Sequence, residues 1–246
     1  MTRLQRNHPL PLYAQLRDTL RSDLLTGRLR AHEQLPSERE LCARFRVSRM
    51  TVRQALLDLA REGLIYSRAG KGTFASQPKI DQQLKTLSGF SQDMRSRGSA
   101  PSSRVLEAKT ERAEARLARL LGLAPGAKVI VLSRVRLADG MPLAIETAHL
   151  PATLCPNLLR HDFARESLYA VLEHEYGYHL TRAEQTIEAA LARPREAALL
   201  QLTLPAPVLV MERLTYTDQG ILIEYVHSVY RGDRYKFHST LTPQKG

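Results

Sequence analysis

The chain has 246 residues, 43% of them hydrophobic and 25% charged, which is room for two domains of ordinary size and the make-up of a globular protein. No apolar run approaches bilayer-spanning length, no hydrophobic targeting segment heads the chain, and Cys42 and Cys155 lie too far apart in sequence to suggest a disulfide framework; a cytoplasmic protein with no membrane partner is expected. The net charge of +11 is uneven, since residues 1–80 carry 15 Lys and Arg against 7 Asp and Glu and the remainder 21 against 18, so a polyanion-binding module is expected ahead of a nearly neutral one.

Residues 1–10 read as a flexible lead-in. A helix is predicted from Pro11 to Gly27, with Leu12, Leu16, Leu20 and Leu24 at four-residue spacing and Tyr13 and Leu25 widening the stripe. The stretch Leu35–Phe74 then reads as helix, turn, helix and hairpin. Pro36 forces an extended lead, and Ser37 is an N-cap with Glu40 at capping-box spacing. Leu41 and Phe45 share a face, Val47 breaks the pattern, and Ser48 starts a second helix. Val52, Leu56, Leu59 and Ala60 form its apolar side; Arg49, Thr51, Arg53 and Gln54 lie towards its polar N-terminal side. A tight helix pair with basic and hydroxyl residues heading the second helix suits a DNA major groove. Gly63 ends that helix, and the runs Leu64–Tyr66 and Thr73–Ala75 flank a basic hairpin tip, Arg68-Ala69-Gly70-Lys71-Gly72.

Leu12-Tyr13-Ala14-Gln15-Leu16, Leu35-Pro36-Ser37-Glu38-Arg39-Glu40-Leu41, Val47 to Leu56, Glu62-Gly63-Leu64 and Gly70-Lys71-Gly72-Thr73-Phe74 together resemble the winged-helix signature of the GntR family of bacterial transcription regulators. The resemblance runs in order over about residues 11–75. It implies that Arg39, Arg49 and Arg53 contact operator DNA, with Ser37, Ser48 and Thr51 adding contacts and Lys71 and Gly72 reaching phosphate or groove from the wing. Met50 departs from the small or polar residue usual beside Arg49. The domain is placed at residues 8–76 and a linker at 77–97, in which Leu84–Met94 is too apolar for a pure tether and a short helix is expected from Ser91 to Arg97.

A second domain is placed at residues 98–242. Strands are predicted at Arg104–Thr110, Val129–Leu137, Leu143–Leu150, Leu180–Leu191, Val208–Thr215, Ile221–Tyr230 and Tyr235–Leu241. Asp139-Gly140 and Gln219-Gly220 are hairpin turns, and helices are predicted at Ala113–Leu121, Ser167–Tyr176 and Pro194–Gln201. Strands joined by hairpins with helices between them give an α+β domain on an antiparallel sheet. Arg134 and Arg136, two apart on a strand, face one side and need an anion, from the protein or from a ligand. Glu146 or Glu224 across the sheet could supply it. Ser167 stands where it could cap a helix whose N-terminus favours an anion. Glu224 and Tyr230 share a face of their strand, and Tyr169 is either a site residue or core.

Leu132-Ser133-Arg134-Val135-Arg136, Ala144-Ile145-Glu146, Ser167-Leu168-Tyr169 and Ile223-Glu224-Tyr225 with Tyr230-Arg231 resemble the UTRA effector domain of the HutC subfamily, which has the chorismate-lyase fold. The resemblance implies an effector pocket of Arg134, Arg136, Glu146, Ser167, Tyr169, Glu224 and Tyr230. The arginines and Ser-x-Tyr would hold a phosphate, and Glu224 and Tyr230 a sugar. The expected protein is a homodimeric regulator, a repressor, bound to double-stranded palindromic operator DNA and modulated by a small anionic metabolite. A sugar phosphate is the first choice; a urocanate-like carboxylate or a phosphonate fits the same frame. The reading from another class is a chorismate-lyase-like enzyme, but no nucleophile–base constellation is visible. No catalytic residue or cofactor is assigned, and the eight histidines lack metal-ligand spacing.

Overall fold

In the computed structural model, which describes residues 4–6, 8–26, 28–30, 33–68, 70–76 and 79–241, the chain divides into two units, residues 1–80 and 81–246. The first unit contains α1 (Leu12–Leu25), α2 (Glu38–Phe45), α3 (Arg49–Arg61) and the hairpin β1 (Ile65–Arg68) and β2 (Gly72–Ala75). Leu16, Leu20 and Leu24 of α1 close over Leu41 of α2 and Val52, Ala55 and Leu59 of α3. Burying each such leucine contributes roughly 1.5–3 kcal/mol.

Local signals set the helix ends. The Ser37 N–H donates to Glu40 Oε2 at 2.7 Å while the Glu40 N–H donates to Ser37 Oγ at 3.3 Å, a complete capping box. Ser48 Oγ accepts from the Thr51 N–H at 3.2 Å. The turn between α2 and α3 passes through Arg46, in the left-handed region at φ 53° and ψ 48°. The predicted stop at Gly27 and the tip residue Ala69 lie outside the described residues; α1 closes at Thr26.

The wing is more than a hairpin. Gln34 bridges to Phe74, the Leu35 N–H donates to Thr73 O at 2.8 Å, and Gln34 Nε2 donates to Lys71 O at 2.9 Å. At Gly72 the backbone at φ +105° calls for glycine, and a Cβ, 2.6 Å from Gln34 Nε2, would also push that side chain aside. Gln5 and Leu10 are likewise held. Gln15 accepts from the Gln5 N–H and donates to the Gln5 and Leu10 carbonyls at 2.7–2.9 Å, which corrects the expectation of a flexible lead-in there.

The second unit is built on one antiparallel sheet of six strands in the order β4-β5-β6-β9-β8-β7. These are β4 (Pro101–Arg112), β5 (Lys128–Ala138), β6 (Met141–Pro151), β7 (Leu180–Leu191), β8 (Pro207–Thr217) and β9 (Leu222–Arg231). On one face, Leu132, Ala148 and Leu150 pack with α6 (Leu168–Tyr176) through Leu168, Val171 and Leu172. On the other, α5 (Ala115–Leu120) covers Val129, Val131 and Tyr225, and α7 (Pro194–Leu200) covers Val208 and Val229. Covering both faces explains the nearly unbroken burial of β5.

Most of the segment expected as a linker belongs to this unit. β3 (Ile80–Gln83) pairs with β10 (Tyr235–His238), and α4 (Phe90–Ser96) buries Phe90, Ser91 and Met94. Lys236 Nζ lies 2.8 Å from Asp81 Oδ2, and Arg97 Nη2 donates to Asp81 O at 2.7 Å. Phe90 and Met94, four apart, give an apolar stripe that a tether would expose to water.

Candidate functional site

Two surfaces collect the predicted residues, one in each unit. In the second unit, β5 and β6 run antiparallel with Arg134 opposite Glu146, so that pair and Arg136 share the face beneath α4 and α6. Arg134 Nη2 lies 2.6 Å from Glu146 Oε1, and Arg136 Nη1 lies 3.5 Å from the same oxygen. One carboxylate therefore serves two guanidiniums. Of the alternatives left open by the sequence, Glu146 is the counter-ion; it also lines the cavity.

The match is incomplete. Arg134 is 1% exposed, yet its Nε and Nη1 have no hydrogen-bond partner, nor has Arg136 Nε. Burial, then the charge of Arg136, pushes the Arg134 guanidinium down to about 10. Burial also works against the Glu146 carboxylate, but Arg136, Arg134 and Arg213 together outweigh it and hold the group below its usual range. The arrangement favours an added anion.

Ser167 stands at the N-cap position of α6, but its side chain makes no capping bond. Ser167, Leu168 and Tyr169 line the cavity, so the first turn of α6 borders it. Tyr169 packs against the core and also donates to Glu224 Oε2 at 3.0 Å; Thr215 donates to the same oxygen at 3.2 Å. Burial, then the charge of Glu146, pushes Glu224 up to about 7. Tyr230 lines the cavity beside Tyr235, with ring centroids 4.7 Å apart, and burial pushes its phenol up to about 12. All seven residues expected in the pocket are thus brought together.

The structure adds residues that the sequence reading missed. Arg213 lines the cavity from β8, held by Gln185 through a 2.8 Å bond from its Nε. Its signal was alternation, since Met211, Arg213 and Thr215 share one face of the strand. Ser91 of α4 accepts from Arg136 Nη2 at 2.9 Å, and the Phe90 ring lies 4.7 Å from the Arg136 guanidinium carbon. Gly89 comes so close to Tyr169 that a Cβ would stand 3.1 Å from its ring. These contacts leave a cavity of only about 30 Å³, space for about one water.

In the first unit, Ser37 and Ser48 are engaged as helix caps, and the Thr51 hydroxyl lies 2.9 Å from that of Ser48. Arg39 and Arg49 are exposed and have no acidic partner among the described residues. Arg53 is different, because its Nε reaches Glu38 Oε2 at 3.1 Å. Lys71 and Gly72 are exposed at the wing tip, and Met50 is 71% exposed at the head of α3. No His, Cys, Asp and Glu group among the described residues could hold a metal ion, and no described helix is long and apolar enough to cross a membrane.

Comparison with known proteins agrees with this division. Residues 12–75 match the pattern of bacterial regulatory proteins of the gntR family, and residues 96–236 match the UTRA domain. The chain is 40% identical to the HTH-type transcriptional repressor NagR of Bacillus subtilis (strain 168), covering 95% of this chain and 96% of that protein. It is 32% identical to the histidine utilization repressor of Pseudomonas putida over 86% of this chain and 84% of that one. The crystal structure of PhnF from Mycobacterium smegmatis superposes with a TM-score of 0.70 at 33% identity, covering 95% of this chain and 100% of that chain.

Proposed function

Starting from the fact that the chain belongs to the GntR family and is a transcriptional repressor of the HutC type with a UTRA domain, we propose that it is a homodimer on a palindromic operator, released by a sugar phosphate bound in the second unit. It works in the cytoplasm, where the operator is. Two copies of α3 lie in successive major grooves, with half-site centres about one helical turn apart or a multiple of it. Arg39, Arg49 and Arg53 read or grip the DNA. Ser37, Ser48 and Thr51 assist, and Lys71 and Gly72 contact it from the wing.

The observation that carries the effector reading is the pair of unpartnered, buried N–H groups on Arg134, in a cluster with two guanidiniums and one carboxylate. A phosphate oxygen would satisfy them. Arg134, Arg136, Ser167 and Tyr169 take the phosphate. Glu224 and Tyr230 take hydroxyl groups of the sugar, with Glu146 keeping the arginines in place.

A sugar phosphate does not fit a space of about 30 Å³ walled by Gly89 and Phe90. Its binding therefore shifts α4 and residues 81–97, which continue directly into the DNA-binding unit. A ligand moves that equilibrium only by its difference in affinity for the two arrangements.

Thermal-shift measurements on the full chain against phosphosugars, organic acids and phosphonates test the reading. A raised melting temperature with a phosphosugar, together with release of DNA by the same compound, is expected. A shift with carboxylates alone overturns the sugar-phosphate assignment and leaves the anion pocket standing.

A further inference from the structure

Below the turn between α2 and α3 the first unit carries a concavity of about 600 Å³, rimmed by Arg6, Arg44 and Arg46 and floored by Leu12, Phe45 and Val47. We propose that these three arginines form a cradle for backbone phosphates of the DNA, separate from the residues that head α3. The proposal rests on the reading of α3 as the DNA-binding helix.

Charge is the first argument. Arg17, Arg21, Arg28, Arg53 and Arg61 of this unit each lie within 3.8 Å of a carboxylate. Arg6, Arg44 and Arg46 have no carboxylate partner among the described residues, although all three are exposed around one hollow. Three like charges around one concavity raise the local positive potential, which favours an anion there.

Backbone conformation is the second. Arg46 occupies the left-handed region at φ 53° and ψ 48°, which glycine adopts without steric cost. A side chain there opposes the local preference. Arg46 lines the hollow and stands two residues before Ser48, the cap of the reading helix, so the chain runs from the hollow directly into α3.

Placement is the third. The Arg44 guanidinium carbon lies 5.3 Å from the centroid of the Phe45 ring, and the clamp of Gln15 on Gln5 brings Arg6 to the rim. The favourable effect of cations at a helix C-terminus accounts for Arg44 and Arg46 alone. It leaves out Arg6, which belongs to no helix, and it does not explain why Arg46 rather than glycine stands in the turn. Among anions, DNA phosphate fits a rim of guanidiniums beside a groove-reading helix, and such an interaction fixes position without reading sequence.

The test is fluorescence anisotropy of the full-length protein on a mixed-sequence duplex over a range of salt concentrations, with Arg46→Gly, Arg44→Ala and Arg6→Ala. Arg46→Gly is expected to melt no lower than wild type. Each variant is expected to bind several-fold more weakly and to lower the slope of log K against log salt by about 0.9 for each phosphate it no longer neutralises. Wild-type slopes in all three variants overturn the cradle while leaving DNA binding by α3 intact. A wild-type protein that binds no duplex overturns the DNA reading itself and the cradle with it. If Arg46→Gly loses slope and melting temperature together, Arg6→Ala, outside the helices, decides: a reduced slope supports the cradle and an unchanged slope overturns it.

Discussion

Ser91 and Arg136 are hydrogen-bonded at 2.9 Å, although 45 residues separate them in sequence. A hydroxyl from the segment that continues into the DNA-binding unit thus sits on the cationic end of the candidate effector pocket. Removing it leaves a buried guanidinium N–H without a partner. Ser91→Ala is expected to destabilise the second unit by about 1–3 kcal/mol in chemical denaturation. A loss within error of zero would show that water replaces the hydroxyl and that α4 is not held there.

Arg134→Ala removes the buried N–H groups proposed to meet the effector anion. The variant is expected to show no thermal shift with any phosphosugar that stabilises wild type. It should still bind duplex DNA at the ligand-free affinity, read by anisotropy with and without the sugar. A variant still released normally refutes the pocket.

Glu224 supplies a pH signature. Its folded-state value of about 7 lies above the ordinary carboxylate range because of burial and the nearby Glu146 charge. The folded state therefore holds a proton that the unfolded chain releases near pH 4–5. The associated stabilisation is complete below that range and is lost as pH rises through about 7, an effect of about 3 kcal/mol. The stability of wild type minus that of Glu224→Gln is expected to fall across this window. A difference independent of pH between 4 and 8 contradicts the assignment.

Arg53 is tied to Glu38 in the free protein, but both side chains are well exposed, so the pair adds little to folding. Arg53→Ala is expected to change unfolding stability by less than about 1 kcal/mol. Its cost on operator binding is expected to be roughly 1–3 kcal/mol, with relaxed preference at one base pair. Unchanged operator affinity removes it from the reading set.

What the sequence disclosed depended on the range of the interactions. The capping box of Ser37 and Glu40 and the cap at Ser48 are contacts over three residues, so the helix pair was legible directly. Arg134 and Arg136 could be placed on one face because strand periodicity is local. The choice of Glu146 as their counter-ion depended on strand register, which alternation leaves open. Arg213 enters the pocket only because β8 lies next to β9 in the sheet. The segment 81–97 misled because its order comes from a partner far away in sequence: the Leu84 N–H donates to His238 O. Its polar ends resemble a tether, and the apolar run Leu84–Met94 was the local sign against one.

The water-sized cavity beneath α4 has a consequence in time as well as in space. An effector that cannot fit the closed pocket must wait for α4 to open, or bind at the rim and wait for it to yield. In rapid mixing, the rate of the binding signal should rise with effector concentration and then level off, the plateau being set by the protein's own opening and closing. The speed at which the repressor responds to a sudden supply of metabolite would then have a ceiling that more metabolite cannot raise.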